Sequence, residues 1–250
     1  MKNLIKLFVL LCLGCNPSFE ICAQAKDWKE TDKSSFLIAF EQMNNWHKLH
    51  KEYSMKLKHA TFDDYSTIIP SDISSGYFIK SNRNYHSFLL GIHTIQNDRF
   101  KIVIDSSGKD LFLSYPNTSI WTEYDSASWS MNLDECISLK MDESQGGKTF
   151  RMEFSEDNEL SAYEFTLAKD GRLLQSICFY KEIQSENEDG KPISTKPRLT
   201  ISYFDFKFSV SDKTKTEFNE LKYIAKSGDN FIPSSKYKEY NLIDQRVRMN

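Results

Sequence analysis

Between Gly76 and Pro116 short apolar runs alternate with clusters of Asn, Asp, Gly and Ser, and this pattern constrains the chain more than any other stretch. It predicts four antiparallel strands, over Tyr77–Lys80, Tyr85–Ile95, Phe100–Asp105 and Leu111–Tyr115. Turns fall at Ser81–Asn84, Gln96–Asp98 and Ser106–Lys109, where the residues tolerate the backbone angles that tight hairpins need. Alternation assigns faces. Phe88, Leu90 and Ile92 share one side of the second strand, Phe100, Ile102 and Ile104 one side of the third, and Leu111, Leu113 and Tyr115 one side of the fourth. The opposite sides carry Leu89, Ile95, Val103 and Phe112, where a sheet with one wet face would be polar. Both faces are therefore expected to be covered, one by a helix and the other by a second layer or a bound apolar ligand.

The rest of the chain supplies the cover and more strands. Lys2 and Lys6 precede the apolar run Leu7–Leu13, and Ala23-Gln24-Ala25 offers a cleavage site, so residues 1–25 read as a secretory signal peptide. Cleavage falls after Ala25 or just before Gln24. The alternative leader is a lipoprotein signal with Cys15 acylated, although Cys12 stands where such a signal usually has Leu. An exported, periplasmic protein is expected, with lipid anchoring through Cys15 as the alternative. No other stretch reaches the roughly 20 apolar residues of a membrane span. Residues 26–250 fit one domain. Asp32–His50 reads as an amphipathic helix, with Phe36, Phe40, Met43 and His47 on one stripe and Asp32 or Ser34 as its cap. Met55–Phe62, Thr149–Phe154, Leu160–Ala168, Leu173–Ile183, Leu199–Phe208 and Tyr237–Ile243 read as strands. Lys169-Asp170-Gly171-Arg172 reads as a type I′ hairpin turn, Ser126–Leu133 as loop or short helix, Gln184–Pro197 as a charged loop, and Thr216–Ala225 as a possible short helix. About nine antiparallel strands exceed what one flat sheet holds, and such sheets curl.

The segments Tyr53–His59, Gly76–Lys80, Phe100–Asp105, Asp110–Tyr115 and Gly171–Phe179, behind a leader and an amphipathic helix, resemble the bacterial outer-membrane lipoprotein-carrier (LolA/LolB-like) superfamily. The resemblance covers most of the mature chain, with an extra segment around residues 116–148. It implies an α+β, mainly antiparallel fold: a curved half-barrel sheet with the N-terminal helix and short helices as a lid, holding acyl chains on its concave face. No binding residue is carried over from the family; the apolar groups on the second sheet face make Leu89, Val103, Phe112, Phe165, Phe179, Phe204 and Phe206 the candidate ligand-binding residues of a concave wall. The expected function is non-catalytic binding of a lipid or a lipoprotein acyl chain. The alternative is a protein-interaction or scaffold module of the cell envelope, with a partner protein and a self-filled core.

Other chemistry finds little support. A net charge of −3 and a pI near 6.0 give no basic field for nucleic acid. No GxSxG, HExxH, P-loop or GxGxxG motif occurs, so no enzyme, cofactor or metal is expected. His47 and His50 read as polar residues at a helix end, and His86 as a packed core histidine. Glu153 and Glu164 read as outward carboxylates rather than a catalytic pair. Cys136 and Cys178 are the disulfide candidates of an exported chain, with two free thiols as the alternative. A monomer is expected.

Overall fold

The computed structural model describes residues 26–117, 133–143, 146–186 and 192–246. The expected leader, residues 1–25 with Cys15, and the segment 126–132 lie outside the described residues. Helix α1 spans Lys33–Leu49. It starts where it does because the Asp32 carboxylate accepts a hydrogen bond from the Ser35 amide at 2.7 Å, satisfying one of the first-turn donors. Its buried residues are Phe36, Ala39, Phe40, Met43, Trp46 and His47, the stripe that the spacing predicts.

Among the described residues thirteen strands form one open sheet: β1 (Lys29–Glu30), β2 (Glu52–Phe62), β3 (Asp72–Ser81), β4 (Asn84–Leu89), β5 (Ile92–Gln96), β6 (Lys101–Asp105), β7 (Asp110–Ser114), β8 (Cys136–Asp142), β9 (Gly147–Phe154), β10 (Leu160–Ala168), β11 (Leu173–Tyr180), β14 (Arg198–Lys207) and β17 (Asn241–Asp244). Their order is β1-β8-β9-β10-β11-β14-β2-β3-β4-β5-β6-β7-β17, with β1 and β17 at the edges. Two small hairpins stand apart, β12 (Ile183–Glu186) with β13 (Pro192–Thr195), and β15 (Ile224–Ser227) with β16 (Asn230–Pro233). A short helix, α2 (Asp212–Lys215), and three 3₁₀ turns lie between β14 and β17. The fold is thus α+β and mainly antiparallel, as expected.

Residues paired in register share a face, so the ladders say which side chains stand together. One face, here the helix side, carries Tyr53, Met55, Leu57 and His59 of β2, Phe150 and Met152 of β9, and Phe165 of β10. Phe36, Phe40 and Met43 of α1 bury Leu139, Phe150, Met152, Phe165, Leu167 and Leu173 there, and Trp46 packs with Tyr53, Met55, Leu57, Phe78 and Tyr85. The far side is covered at the other end of the sheet. There Tyr223, Ile224 and Tyr237 pack on Ile95, Ile102, Ile104, Leu111 and Leu113. The two covers lie on opposite faces and opposite halves.

Several expectations are corrected. The predicted strand Tyr85–Ile95 is two strands, because Leu90 (φ 53°) and Gly91 (φ 79°) form a two-residue turn with both residues in the left-handed region. The fold-back separates Phe88, on the far side, from Ile92, on the helix side. The turn after Ala168 is a three-residue loop: Gly171 alone has positive φ, and its amide donates to the Ala168 carbonyl. Gln184–Pro197 is not all loop but contains the β12–β13 hairpin. The last strand, β17, pairs parallel to β7. Cys136 and Cys178 are free thiols. Two strands, β9 and β10, separate their strands in the sheet. At about 4.8 Å per strand spacing that is well beyond disulfide reach.

Candidate functional site

Where α1 ends, the helix side of the sheet continues as an apolar band. Leu89 of β4 is paired with Ile92 of β5. Val103 of β6 is paired with Phe112 of β7, and Phe112 with Ile243 of β17. All five are half-buried. Leu89 packs against the Trp46–Tyr53–Phe78–Tyr85 cluster, which joins the band to the end of α1. Ile92, Val103, Phe112 and Ile243 belong to none of the three core clusters of the described residues. Polar residues interrupt it: Ser87 and Thr94 lie in the row of Val103, and Asp105 and Asp110 continue the row of Leu89 and Ile92. The band exists because β4 to β7 carry apolar residues on both faces, although polar ones alternate with them on the helix side. The far-facing set, Ile95, Ile102, Ile104, Leu111 and Leu113, is consumed by the C-terminal cover, and the helix-facing set is left over.

Along the same face the band runs back over β3, β2 and β14. Gly76 lies against Leu89, whose Cδ1 would stand 3.0 Å from a Cβ placed on that glycine. Beyond it Ser74 is paired with His59, and His59 with Ile201. Leu199, Ile201, Tyr203, Cys178 and Tyr163 complete the row toward β10 and are half-buried. Burial alone pushes the Cys178 thiol up, as expected of an inert thiol in apolar surroundings.

The seven predicted ligand residues separate into three groups. Leu89, Val103 and Phe112 stand together on the band. Phe165 is on the same face but lies beneath α1, stacked on Phe150 and edge-on to Phe36. Phe206 also faces the helix, edge-on to Trp46 at 5.8 Å. Phe179 and Phe204 are on the far side: the Arg151 guanidinium sits over Phe179, and Phe204 is 44% exposed. Strict alternation placed Phe204 and Phe206 together, but Asp205 adopts φ 52° and a register shift falls between Phe204 and Lys207. That bulge turns the two rings to opposite faces.

The far side of the β8–β11 half is polar. Arg151 bridges Glu153 at 3.0 Å and Glu164 at 2.6 Å, with Lys140 on Glu153 and Lys26 on Glu164. Burial raises the Glu153 carboxyl, but hydrogen bonds from Lys140 and Arg151 outweigh it and hold the group below its ordinary range. Both carboxylates are thus tied into a charge ladder. At the other end, His86 is buried, with Nε2 3.1 Å from the Tyr77 hydroxyl and 3.3 Å from Nδ1 of His93. His47 is not at the surface as expected. It is buried, with Nδ1 2.8 Å from the Tyr53 hydroxyl. No group of three metal-ligating side chains occurs among the described residues. A shallow pocket of about 420 Å³ lies between Gln42, Asn45, Trp46, Leu49 and His50 of α1 and Lys169–Gly171, and none of the predicted ligand residues lines it.

Sequence reasoning missed His59. Its signal was present: it continues the inward phase of Met55 and Leu57 in an alternating strand. It is 5% exposed and its Nδ1 has no hydrogen-bond partner.

No family model and no curated protein matches the chain. Solved structures similar to it include an uncharacterized conserved protein from Thermus thermophilus, at 9% identity over 84% of this chain and 99% of that one, with a TM-score of 0.41. A LolA superfamily protein from Nitrosomonas europaea is similar at 9% identity over 70% of this chain and 94% of that one, with a TM-score of 0.30. The Mycobacterium tuberculosis lipoprotein LppX is similar at 9% identity over 72% and 99%, with a TM-score of 0.33.

Proposed function

We propose that this is an exported, non-catalytic envelope protein that binds an apolar ligand, a lipid or a lipoprotein acyl chain, on the helix side of its sheet. One observation carries the reading. Ile92, Val103, Phe112 and Ile243 stand half-buried on the helix side, beside Leu89 and outside the core clusters of the described residues, interleaved with Ser87, Thr94, Asp105 and Asp110, while the opposite face of the same strands is covered by Tyr223, Ile224 and Tyr237. A face left wholly to solvent would be polar at these apolar positions as well. Burying a chain methylene on such a row contributes about 0.8 kcal/mol, so one acyl chain binds without a charged contact.

The test is mass spectrometry of an organic extract of the purified mature chain, with titration of a pyrene-labelled hydrocarbon. Lipid in the extract and saturable binding of the probe are expected. Val103→Asp puts an unpaired carboxylate into the row, and is expected to weaken probe binding at least about tenfold, since removing such a charge from water costs more than about 1.4 kcal/mol. A clean extract together with no probe binding sinks the proposal.

A further inference from the structure

His59 and Ser74 face each other across β2 and β3 on the helix side of the sheet. His59 is more than nine-tenths buried. Its Nδ1 and the Ser74 hydroxyl are both closed off from solvent, and neither has a hydrogen-bond partner, not even the other. Native proteins pair nearly all such groups, so two unpaired ones at directly opposite positions need a reason. Their surroundings supply one. Leu57 precedes His59 on the same face, Ile201 is its partner on β14, and Gly76 follows Ser74, with Leu89 lying against that glycine. The pair is therefore a polar spot within the apolar band, beside the residues proposed to take the ligand.

Building on the ligand-face reading above, we infer that His59 and Ser74 anchor one neutral hydrogen-bonding group, an ester or amide, of an otherwise apolar ligand. A hydroxyl and an imidazole N–H can each donate, which suits a carbonyl. A charged headgroup does not fit. Leu57, Gly76 and Ile201 bring no opposite charge, the nearest carboxylate on this face, Asp72, is exposed to water at the strand end, and an unpaired ion away from water is far costlier than a neutral dipole. The spot thus fixes which part of the ligand lies over β2 and β3, and its chain is laid toward Leu89 and Val103.

Two probes with the same ring and chain length test this: the methyl ester of pyrenyldecanoic acid, and decylpyrene. The wild-type chain is expected to bind the ester about tenfold more tightly than the hydrocarbon, the yield of one well-made buried hydrogen bond. His59→Leu and Ser74→Ala are each expected to shrink that ratio to about threefold or less, with the hydrocarbon Kd unchanged. Thermal unfolding confirms that each variant is folded, and Ser74→Ala, a small change at a half-buried position, decides the matter should His59→Leu not fold. Equal binding of both probes by the wild type, or an ester preference that survives the substitutions, overturns the anchor while leaving the apolar face standing. Failure of both probes to bind the wild type overturns the ligand face and the anchor with it.

Discussion

His47 and His86 are held neutral by the fold. Burial, then the nearby Lys80, brings His47 down to about 3. Burial, then His93, brings His86 to about 4, although Glu217 pulls the other way. In the unfolded chain both titrate near about 6.5. Between these values the unfolded state binds more protons, so their contribution to stability is full above pH about 6.5 and is lost as pH falls through the folded values. Denaturant unfolding is expected to show stability dropping from pH about 6.5 to about 4, and His86→Gln to flatten that slope by about 1 kcal/mol per pH unit. An unchanged slope would mean that His86 is already charged in the fold. The buried position of His86 was legible from its phase with Phe88. That of His47 was only half legible: the stripe put it on the apolar face, but nothing local revealed the Tyr53 hydroxyl six residues on that receives it.

At the scale of elements, two contacts beyond the apolar stripe fix how α1 meets the sheet. The ammonium of Lys80, buried on β3, donates to the carbonyls of His47 and, at 3.0 Å, His50, so a strand residue satisfies the last carbonyls of the helix. Lys80→Met keeps the volume and removes the donors. It is expected to cost about 1–3 kcal/mol, and hydrogen exchange should show the last turn of α1 opening first. At the β10–β11 turn, Gly171 has φ 90° and a Cβ there would stand 2.9 Å from the Gln42 carbonyl oxygen. Gly171→Ala is expected to destabilise by about 1–3 kcal/mol in thermal unfolding, through backbone strain and this contact together. A neutral result would show that the turn and helix separate easily. Strand existence was readable from alternation and turn residues. The Leu90–Gly91 turn was not, because Leu is a poor advertisement for positive φ. The Asp205 bulge was hidden too, since LTISYFDFKF alternates without a visible break.

For the whole molecule, the sheet ends on β17, whose parallel pairing covers the edge of β7. Truncation after Tyr240 bares the Asp110–Ser114 edge beside an apolar row, a template for pairing with another chain. Light scattering is expected to detect association of the truncated chain at concentrations where the full chain stays dispersed; equal behaviour would show that the edge is protected otherwise. The sequence by itself determined the helix with its Asp32 cap, the antiparallel character of the sheet, and the excess of apolar groups on β4 to β7, because these follow from periodicity and turn chemistry within a few residues. Which apolar groups are consumed as core was decided only by the tertiary structure. α1 covers one half of one face and the C-terminal segment the other half of the opposite face, so Phe165 is buried while Val103 and Phe112 are left on the band. The physical reason is that a side chain's face follows from local alternation, but its cover comes from elements distant in the chain, as Phe36 covers Phe165 and Tyr223 covers Ile102.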